Sequence, residues 1–418
     1  MSARVLDDES SVAVEELRQG EERVRAAGPA TFDFRRHVPA LDGLRGLAIL
    51  AVFIYHYAGG IANHPTGLAL RAMYSVTQVG WAGVDLFFVL SGFLITGILY
   101  DTKDDVGYYR KFYARRTLRI FPVYYLFLGI VAVVGLLTGV HWTLGHASFL
   151  LYVGFPCALA WPSLIPASEY IRVTHLWSLC MEEQFYLIWP WLVAALGTPI
   201  RILRMCGVLM VVALGLRVAV YAAGWNHTWA YAFLPFRMDA LAVGAALAIL
   251  LRGPYRELVA KLAPAMLALA AAGFLCVCIV GRTTDHEGAA MGTAGFSLLT
   301  LVSGSLLVLG VSRYGLVRKI FSLQALRTLG KYSYGLYLYH FPLAVVLDRM
   351  KPMLGSALHS ENLGKVVFVA VSLGINLGVA WVSFRLIEAP IMTWKKRFDY
   401  DRKVPLTGAG GASTVLVP

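Results

Sequence analysis

Ten runs of about twenty mainly apolar residues divide this chain of 418 residues. A helix of that length spans the ~30 Å hydrocarbon core of a bilayer. The chain is 58% hydrophobic and only 15% charged, which leaves too little polar surface for a water-soluble domain. The sequence therefore predicts an all-α polytopic membrane protein with about ten transmembrane helices, located in the cell membrane as a multi-pass protein. The predicted spans are residues 41–60, 80–100, 120–140, 176–196, 203–223, 230–251, 263–281, 291–312, 332–348 and 365–388.

The net charge of +12 comes from Lys and Arg that concentrate in alternate loops. Such an asymmetry is typical of membrane topology and does not indicate a nucleic-acid partner. The positive-inside rule predicts that both termini are cytoplasmic. The inside loops on this prediction are residues 103–119, 201–204, 252–261, 313–331 and 395–403.

Two tails are expected to flank one transmembrane domain. Residues 1–38 mix acids and bases without an apolar core, so they predict a disordered cytoplasmic tail and no cleaved signal peptide. Residues 39–398 form the predicted transmembrane domain, and residues 399–418 a second disordered cytoplasmic tail. The outer segment 141–174 is interrupted by prolines and is expected to be re-entrant or to lie on the surface. Its Trp142 and Trp161 are candidates for stacking on an acceptor.

The first span carries ionisable residues that are costly in lipid, which makes them candidates for a functional site. Eleven helical steps separate Arg45 from His56, and these return to within roughly 20° of the same face about 16 Å further along the axis. His56 is either a functional imidazole or a packing histidine. In the second span, Asp85 either orients His56 or Arg45 or is a packing carboxylate. Gly80, Gly83 and Gly92 predict close helix approach there.

Three arginines precede the third span at its cytoplasmic end. The guanidinium group matches the geometry of phosphate oxygens, so the cluster is a candidate cofactor-binding site. The alternative is an ordinary inside loop that contacts lipid head groups. The residues are Arg115, Arg116 and Arg119.

The fourth span contains adjacent glutamates in an apolar context. Helical spacing places Glu182 and Tyr186 on the face of His175, with Glu183 beside it. Because buried glutamates are costly, at least one is expected to be functional.

Further polar residues occur in later spans. His340 is a second candidate base, or a structural histidine beside Pro342, and Glu388 is expected to pair with a loop arginine. The remaining polar residues noted in these spans are Arg237, Asp239, Ser333, Tyr334 and Tyr337.

Seven ordered segments of the chain resemble the acyltransferase 3 family of integral-membrane O-acyltransferases. The likeness covers nearly all of residues 39–388. The first segment is LDGLRG followed by a histidine at R-x10-H spacing. The others are GVDLFFVLSGFLI, YARRTLRIFPVYY, HLWSLCMEEQFYLIWP, FRMDALAVG, SYGLYLYHFPL and IEAP.

The resemblance implies transfer of an acyl group, with acetyl expected, from acyl-CoA to a hydroxyl of a sugar, glycan or glycosylated natural product. It implies that His56 is the catalytic base and Arg45 its companion, and that Glu182 is the acidic position of the fourth segment. No metal is expected. The hydrolase-like domain that many relatives append is expected to be absent here.

The residues also fit this chemistry without the resemblance. A neutral imidazole can remove the proton of a poorly nucleophilic hydroxyl. Arg45, Ser91 or Ser178 could stabilise the resulting oxyanion. The sequence leaves open from which membrane face the acceptor enters.

Two alternatives remain. In a transporter or flippase, the buried His, Glu and Asp would form a proton relay. The spans show no matched pair of short, interrupted segments, a feature typical of inverted-repeat transporters. The chain could also only pass an acyl group across the membrane to a partner enzyme.

Overall fold

A computed structural model describes residues 37–58, 74–139, 144–160, 173–312 and 315–400. Ten long helices correspond one to one with the predicted spans, and these described ranges contain no β-strand. The ten are α1 (Pro39–Tyr57), α2 (Gly83–Asp101), α3 (Tyr108–Leu137), α4 (Trp177–Leu196), α5 (Pro199–Ala222), α6 (Leu234–Leu250), α7 (Arg256–Gly281), α8 (Phe296–Val311), α9 (Ser333–Leu347) and α10 (Glu361–Ser383).

Shorter helical segments connect or extend the long ones. The α-helical segments are Leu144–Ala147, Gly154–Ala160, Thr228–Ala232, Leu316–Phe321, Gln324–Lys331, Met350–Ala357 and Ala389–Met392. The 3₁₀ turns are Val79–Ala82, Ser148–Leu151, Thr174–Leu176 and Thr393–Phe398. Two π-helical turns are Met291–Gly295, which leads into α8, and Phe384–Glu388, which continues α10.

Within the described part of the chain, eight helices are long and apolar enough to cross a membrane, so the prediction of an all-α polytopic membrane protein is confirmed. The other two predicted spans are helical but fall outside this group. Glu182 and Glu183 lower the mean hydropathy of α4, and α9 has only 15 residues. The described part of segment 141–174 forms only short helices. Trp142, Trp161 and most of the two predicted tails lie outside the described residues.

The helices form an inner and an outer group. In the helical stretch Tyr74–Asp101, which contains α2, 72% of the most apolar 18 residues are buried, compared with 11% in α7. Helices α1, α2, α6 and α8 form the inner group, and α5 and α7 pack against α6 and α8 from outside. Helix α9 lies against α1, α3 and α10, which brings its polar residues to the side of α1.

Glycines permit the closest helix contacts, as predicted. A methyl group on Gly92 of α2 would lie 1.9 Å from the Leu241 carbonyl oxygen of α6, and one on Gly244 would lie 2.0 Å from that of Val89. Gly80 and Gly83 likewise face backbone carbonyls of α1. Close backbone approach of this kind is how small residues stabilise packed membrane helices.

Candidate active site

A cavity of about 290 Å³ lies among α1, α2, α3, α4 and α9. Its apolar wall is formed mainly by α2, with one residue each from α3 and α4. Charges and hydroxyl groups in the lining come from all five helices. The apolar lining residues are Phe87, Leu90, Leu94, Ile95, Ile98, Ile120 and Leu179, and the polar ones are Arg45, Ser91, Arg116, Arg119, Ser178, Glu182, Tyr186, Ser333, Tyr334 and Tyr337.

Three guanidinium groups face this cavity, whereas Glu182 is the only carboxylate among its described lining residues. Arg45 donates a hydrogen bond to the Ser333 hydroxyl (3.2 Å). The Arg116 guanidinium lies 3.8 Å from the centre of the Tyr186 ring, and its Nε lies 3.8 Å from a carboxylate oxygen of Glu183. Since the arginines outnumber the lining carboxylate, the cavity favours an anionic occupant.

Glu182 is held by two hydroxyl groups. The Ser91 hydroxyl donates to its Oε1 (2.8 Å), and the Tyr186 hydroxyl lies 3.0 Å from its Oε2 and 2.8 Å from Ser91 Oγ. The predicted shared face of Glu182 and Tyr186 is therefore present. His175 lies in the turn before α4 and contacts a different group of residues.

Tyr337 and Ser178 bound the cavity on the side of His175. The Tyr337 hydroxyl lies 2.5 Å from Ser178 Oγ and 2.5 Å from the carbonyl oxygen of His175. Both Tyr337 and Ser178 are buried. His56 is not among the described lining residues; its ring contacts that of His340, and the rings of His340 and His175 both contact Tyr337.

His56 and His340 approach each other through ring nitrogens. His340 Nε2 lies 3.3 Å from His56 Nδ1, and the ring centroids are 4.9 Å apart. His340 is fully buried, and His56 is half-buried. Both Arg45 and His56 contact α9, at Ser333 and His340, so the predicted common face of α1 is confirmed.

Carbonyl contacts assign the tautomers of these two rings. His56 Nδ1 lies 2.9 Å from the Val52 carbonyl oxygen, and His340 Nδ1 lies 2.7 Å from that of Tyr337. At these distances each Nδ1 must carry the hydrogen. His340 Nε2 is then an acceptor that faces His56 Nδ1–H. The lone pair of neutral His56 is consequently on Nε2.

Asp85 does not orient His56 or Arg45, which corrects that expectation. Its Oδ1 accepts a hydrogen bond from Arg237 (2.5 Å) on α6, and both side chains are about 1% exposed. Next to this pair, Arg217 of α5 binds Asp239 (2.8 Å). A buried charge in an apolar bundle needs a partner of opposite charge, and the partner of Asp85 is Arg237 on α6. Arg217 was not identified from the sequence, because one arginine in an apolar helix gives no indication of its partner.

Arg115 also differs from expectation. It does not line the cavity, and its guanidinium is occupied by the end of the described chain. It donates to the carbonyl oxygens of Lys395 and Phe398 (both 3.3 Å) and pairs with Asp399. Arg116 and Arg119 are the arginines of this cluster that face the cavity.

A second, open groove of about 1,040 Å³ lies toward the other end of α1. Its lining includes the aromatic residues Tyr55 and Trp81 and the acidic residues Asp285 and Glu287. The Tyr55 ring lies edge-on to His56, with centroids 5.0 Å apart. The His56 ring is therefore in contact with a residue that lines this groove.

The described helices and their cationic cavity define a polytopic membrane protein with a polar site inside its bundle. A family model described as an acyltransferase domain, that of the acyltransferase 3 family, matches residues 38–385. The chain belongs to this family.

Curated relatives agree with the family match. A Bacillus subtilis protein, provisionally named a peptidoglycan O-acetyltransferase, is 30% identical over 88% of this chain and 57% of its own length. The Staphylococcus aureus O-acetyltransferase OatA is 25% identical over 91% of this chain and 61% of its own length. The chain thus spans about three-fifths of the length of these relatives. No solved structure gives a significant match to it.

Proposed function

We propose that the protein is a membrane-embedded O-acyltransferase that moves an acyl group, with acetyl expected, from acyl-CoA to a hydroxyl of a glycan or another sugar-bearing acceptor. The observation that carries the proposal is the cavity with three arginines and one carboxylate in its lining. Membership of the acyltransferase 3 family and the names of the relatives support the same reaction.

The cavity suits the donor in both charge and shape. Arg45, Arg116 and Arg119 can bind phosphate oxygens of CoA, for which guanidinium groups are well matched. The apolar wall can accommodate the uncharged arm that ends in the thioester. At about 290 Å³ the cavity is at the lower end of the ~300–1,000 Å³ typical of ligand pockets, so it holds part of a CoA molecule.

His56 is the proposed general base. Its Nε2 lone pair takes the proton of the acceptor hydroxyl as the oxygen attacks the thioester carbon. The C–S bond then breaks, and the proton passes to the departing CoA thiolate. Tyr337 lines the cavity and contacts the His340 ring, which in turn contacts His56. Movement of the Tyr337 side chain would open a path for the thioester to the base.

The groove beside Tyr55 is the proposed acceptor site. Aromatic faces and carboxylates are suited to the apolar faces and hydroxyl groups of a sugar, and Tyr55 connects this groove to His56. Donor and acceptor would then approach the histidine from opposite ends of α1.

Binding of radiolabelled acetyl-CoA to the purified protein in nanodiscs tests the donor site without knowledge of the acceptor. Arg119→Gln should weaken binding about 10- to 100-fold, because a hydrogen bond to a charged group contributes about 1.5–3 kcal/mol. Arg115→Gln is the matched control, since Arg115 lies one turn away on α3 outside the cavity, and it should bind like the wild type. Equal losses in both variants, or no saturable binding by the wild type, would overturn the donor assignment.

A further inference from the structure

His340 has a ring nitrogen aimed at the proposed base. His340 Nε2 lies 3.3 Å from His56 Nδ1, and the tautomer set by the Tyr337 carbonyl leaves this nitrogen as an acceptor. His56 Nδ1–H is thus shared between His340 and the Val52 carbonyl oxygen (2.9 Å). The two acceptors together fix the orientation of the His56 ring.

The backbone of His340 is also held in place. The Tyr57 hydroxyl of α1 donates to the His340 carbonyl oxygen (2.7 Å). The Asn376 amide of α10 donates to the same Tyr57 hydroxyl (2.9 Å). Tyr57, His340 and Asn376 are all buried, so α1, α9 and α10 together hold His340 against His56.

Among the residues that the structure describes, no carboxylate contacts the His56 ring. Its neighbours are the rings of Tyr55, His340 and Phe341 and the Val52 carbonyl. When His56 Nε2 takes a proton, the ring becomes a cation and its Nδ1–H becomes a stronger donor. His340 Nε2 is the side-chain acceptor that faces this hydrogen. A histidine whose second nitrogen is bound in this way is the usual arrangement of an oriented base.

We propose that His340 is a positioning residue, which orients His56 and stabilises it after proton uptake by accepting its Nδ1–H. This inference rests on the proposed function, because it assumes that His56 is the base. During attack, the hydroxyl proton moves to His56 Nε2 while the new C–O bond forms. The Nδ1 hydrogen strengthens its bond to His340 and returns to its resting position when the thiolate takes the Nε2 proton.

Two substitutions of similar size separate hydrogen bonding from packing. His340→Gln keeps an acceptor oxygen, whereas His340→Leu fills the space without one. Each is expressed in the source strain after deletion of its own gene, and membranes and extract from that strain supply the native acceptor. The O-acylated product is measured by mass spectrometry against acetyl-CoA concentration, and binding of acetyl-CoA to purified protein checks that each variant is folded.

His340→Leu should lower the maximal rate about 10- to 100-fold, because this is the factor that corresponds to the free energy of one hydrogen bond to a charged group. The half-saturating acetyl-CoA concentration should not change. His340→Gln should recover most of the lost rate. Equal loss in both folded variants, or wild-type rates in both, would overturn the positioning role. If the wild-type gene itself restores no product, the proposed function fails instead, and that outcome is distinct. If His340→Leu fails to bind acetyl-CoA, the rate of His340→Gln is compared with that of the wild type. A His340→Gln rate as low as that of His56→Gln then contradicts the proposal.

Discussion

The buried ion pair between Asp85 and Arg237 makes a strong prediction about stability. The pair joins α2 to α6, and both side chains are about 1% exposed. Removal of one partner from a buried pair typically costs about 3–5 kcal/mol, because the other charge is left without compensation. Asp239 and Arg217 form a second pair nearby, so we expect a value near the lower end, about 3 kcal/mol, for Asp85→Asn and for Arg237→Met.

The free energy of unfolding should fall much less in the double variant than the sum of the losses in Asp85→Asn and Arg237→Met. Asp85 Oδ2 and two nitrogens of Arg237 have no hydrogen-bond partner among the described residues, so the wild-type pair is itself imperfectly satisfied. Removal of both charges therefore leaves no uncompensated ion. We expect a coupling free energy of about 2 kcal/mol between the two positions.

Equilibrium unfolding in mixed detergent micelles, followed by tryptophan fluorescence, measures these free energies. Asp101→Asn is the control, because the Asp101–Arg252 pair is bidentate (2.8 and 2.7 Å) but more exposed, with side chains 25% and 10% accessible. Asp101→Asn should lower the free energy of unfolding by only about 1 kcal/mol, because partly exposed charges are screened by solvent and regain hydration when their partner is removed. A cost of burying one unpaired charge is refuted if Asp85→Asn lowers the free energy of unfolding no more than Asp101→Asn does and the effects of Asp85→Asn and Arg237→Met are additive in the double variant.

Two further predictions test the helix packing and the polar network around Glu182. Gly92→Ala should destabilise the protein by about 1–3 kcal/mol, because its methyl group would overlap the Leu241 carbonyl, whereas Gly129→Ala meets nothing within 4 Å and should be neutral or stabilising. Thermal unfolding of the two variants in detergent compares them directly, and equal melting temperatures would contradict the close contact. Tyr186→Phe should cost about 1–2 kcal/mol, since Glu182 loses a donor in a half-buried position. An unchanged unfolding free energy would show that the Tyr186 hydroxyl does not support Glu182.

The helices and one face of the site could be predicted because they depend on local pattern. Apolar runs of bilayer length became helices, and an eleven-residue spacing placed Arg45 and His56 toward the same neighbouring helix. Small residues at 80, 83 and 92 indicated close packing for the same reason, because a missing side chain is visible in the sequence itself.

The partners of charged residues could not be predicted, since pairing joins distant parts of the chain. Asp85 and Arg237 are 152 residues apart, and Arg115 meets Asp399 across 284 residues. Burial alone shows that each charge needs a partner and does not say which one. The His56–His340 contact was missed in the same way, because each histidine taken singly is compatible with ordinary packing.

The role of His56 as the general base is tested most directly by measuring both donor binding and product formation in His56→Gln. The purified variant should bind acetyl-CoA as the wild type does, because His56 lies outside the arginine-lined cavity. In membranes of the deletion strain, the same variant should form the O-acylated product about 100- to 10,000-fold more slowly, as expected for loss of a general base. Product formation at the wild-type rate by this variant would contradict the assignment of His56 as the base.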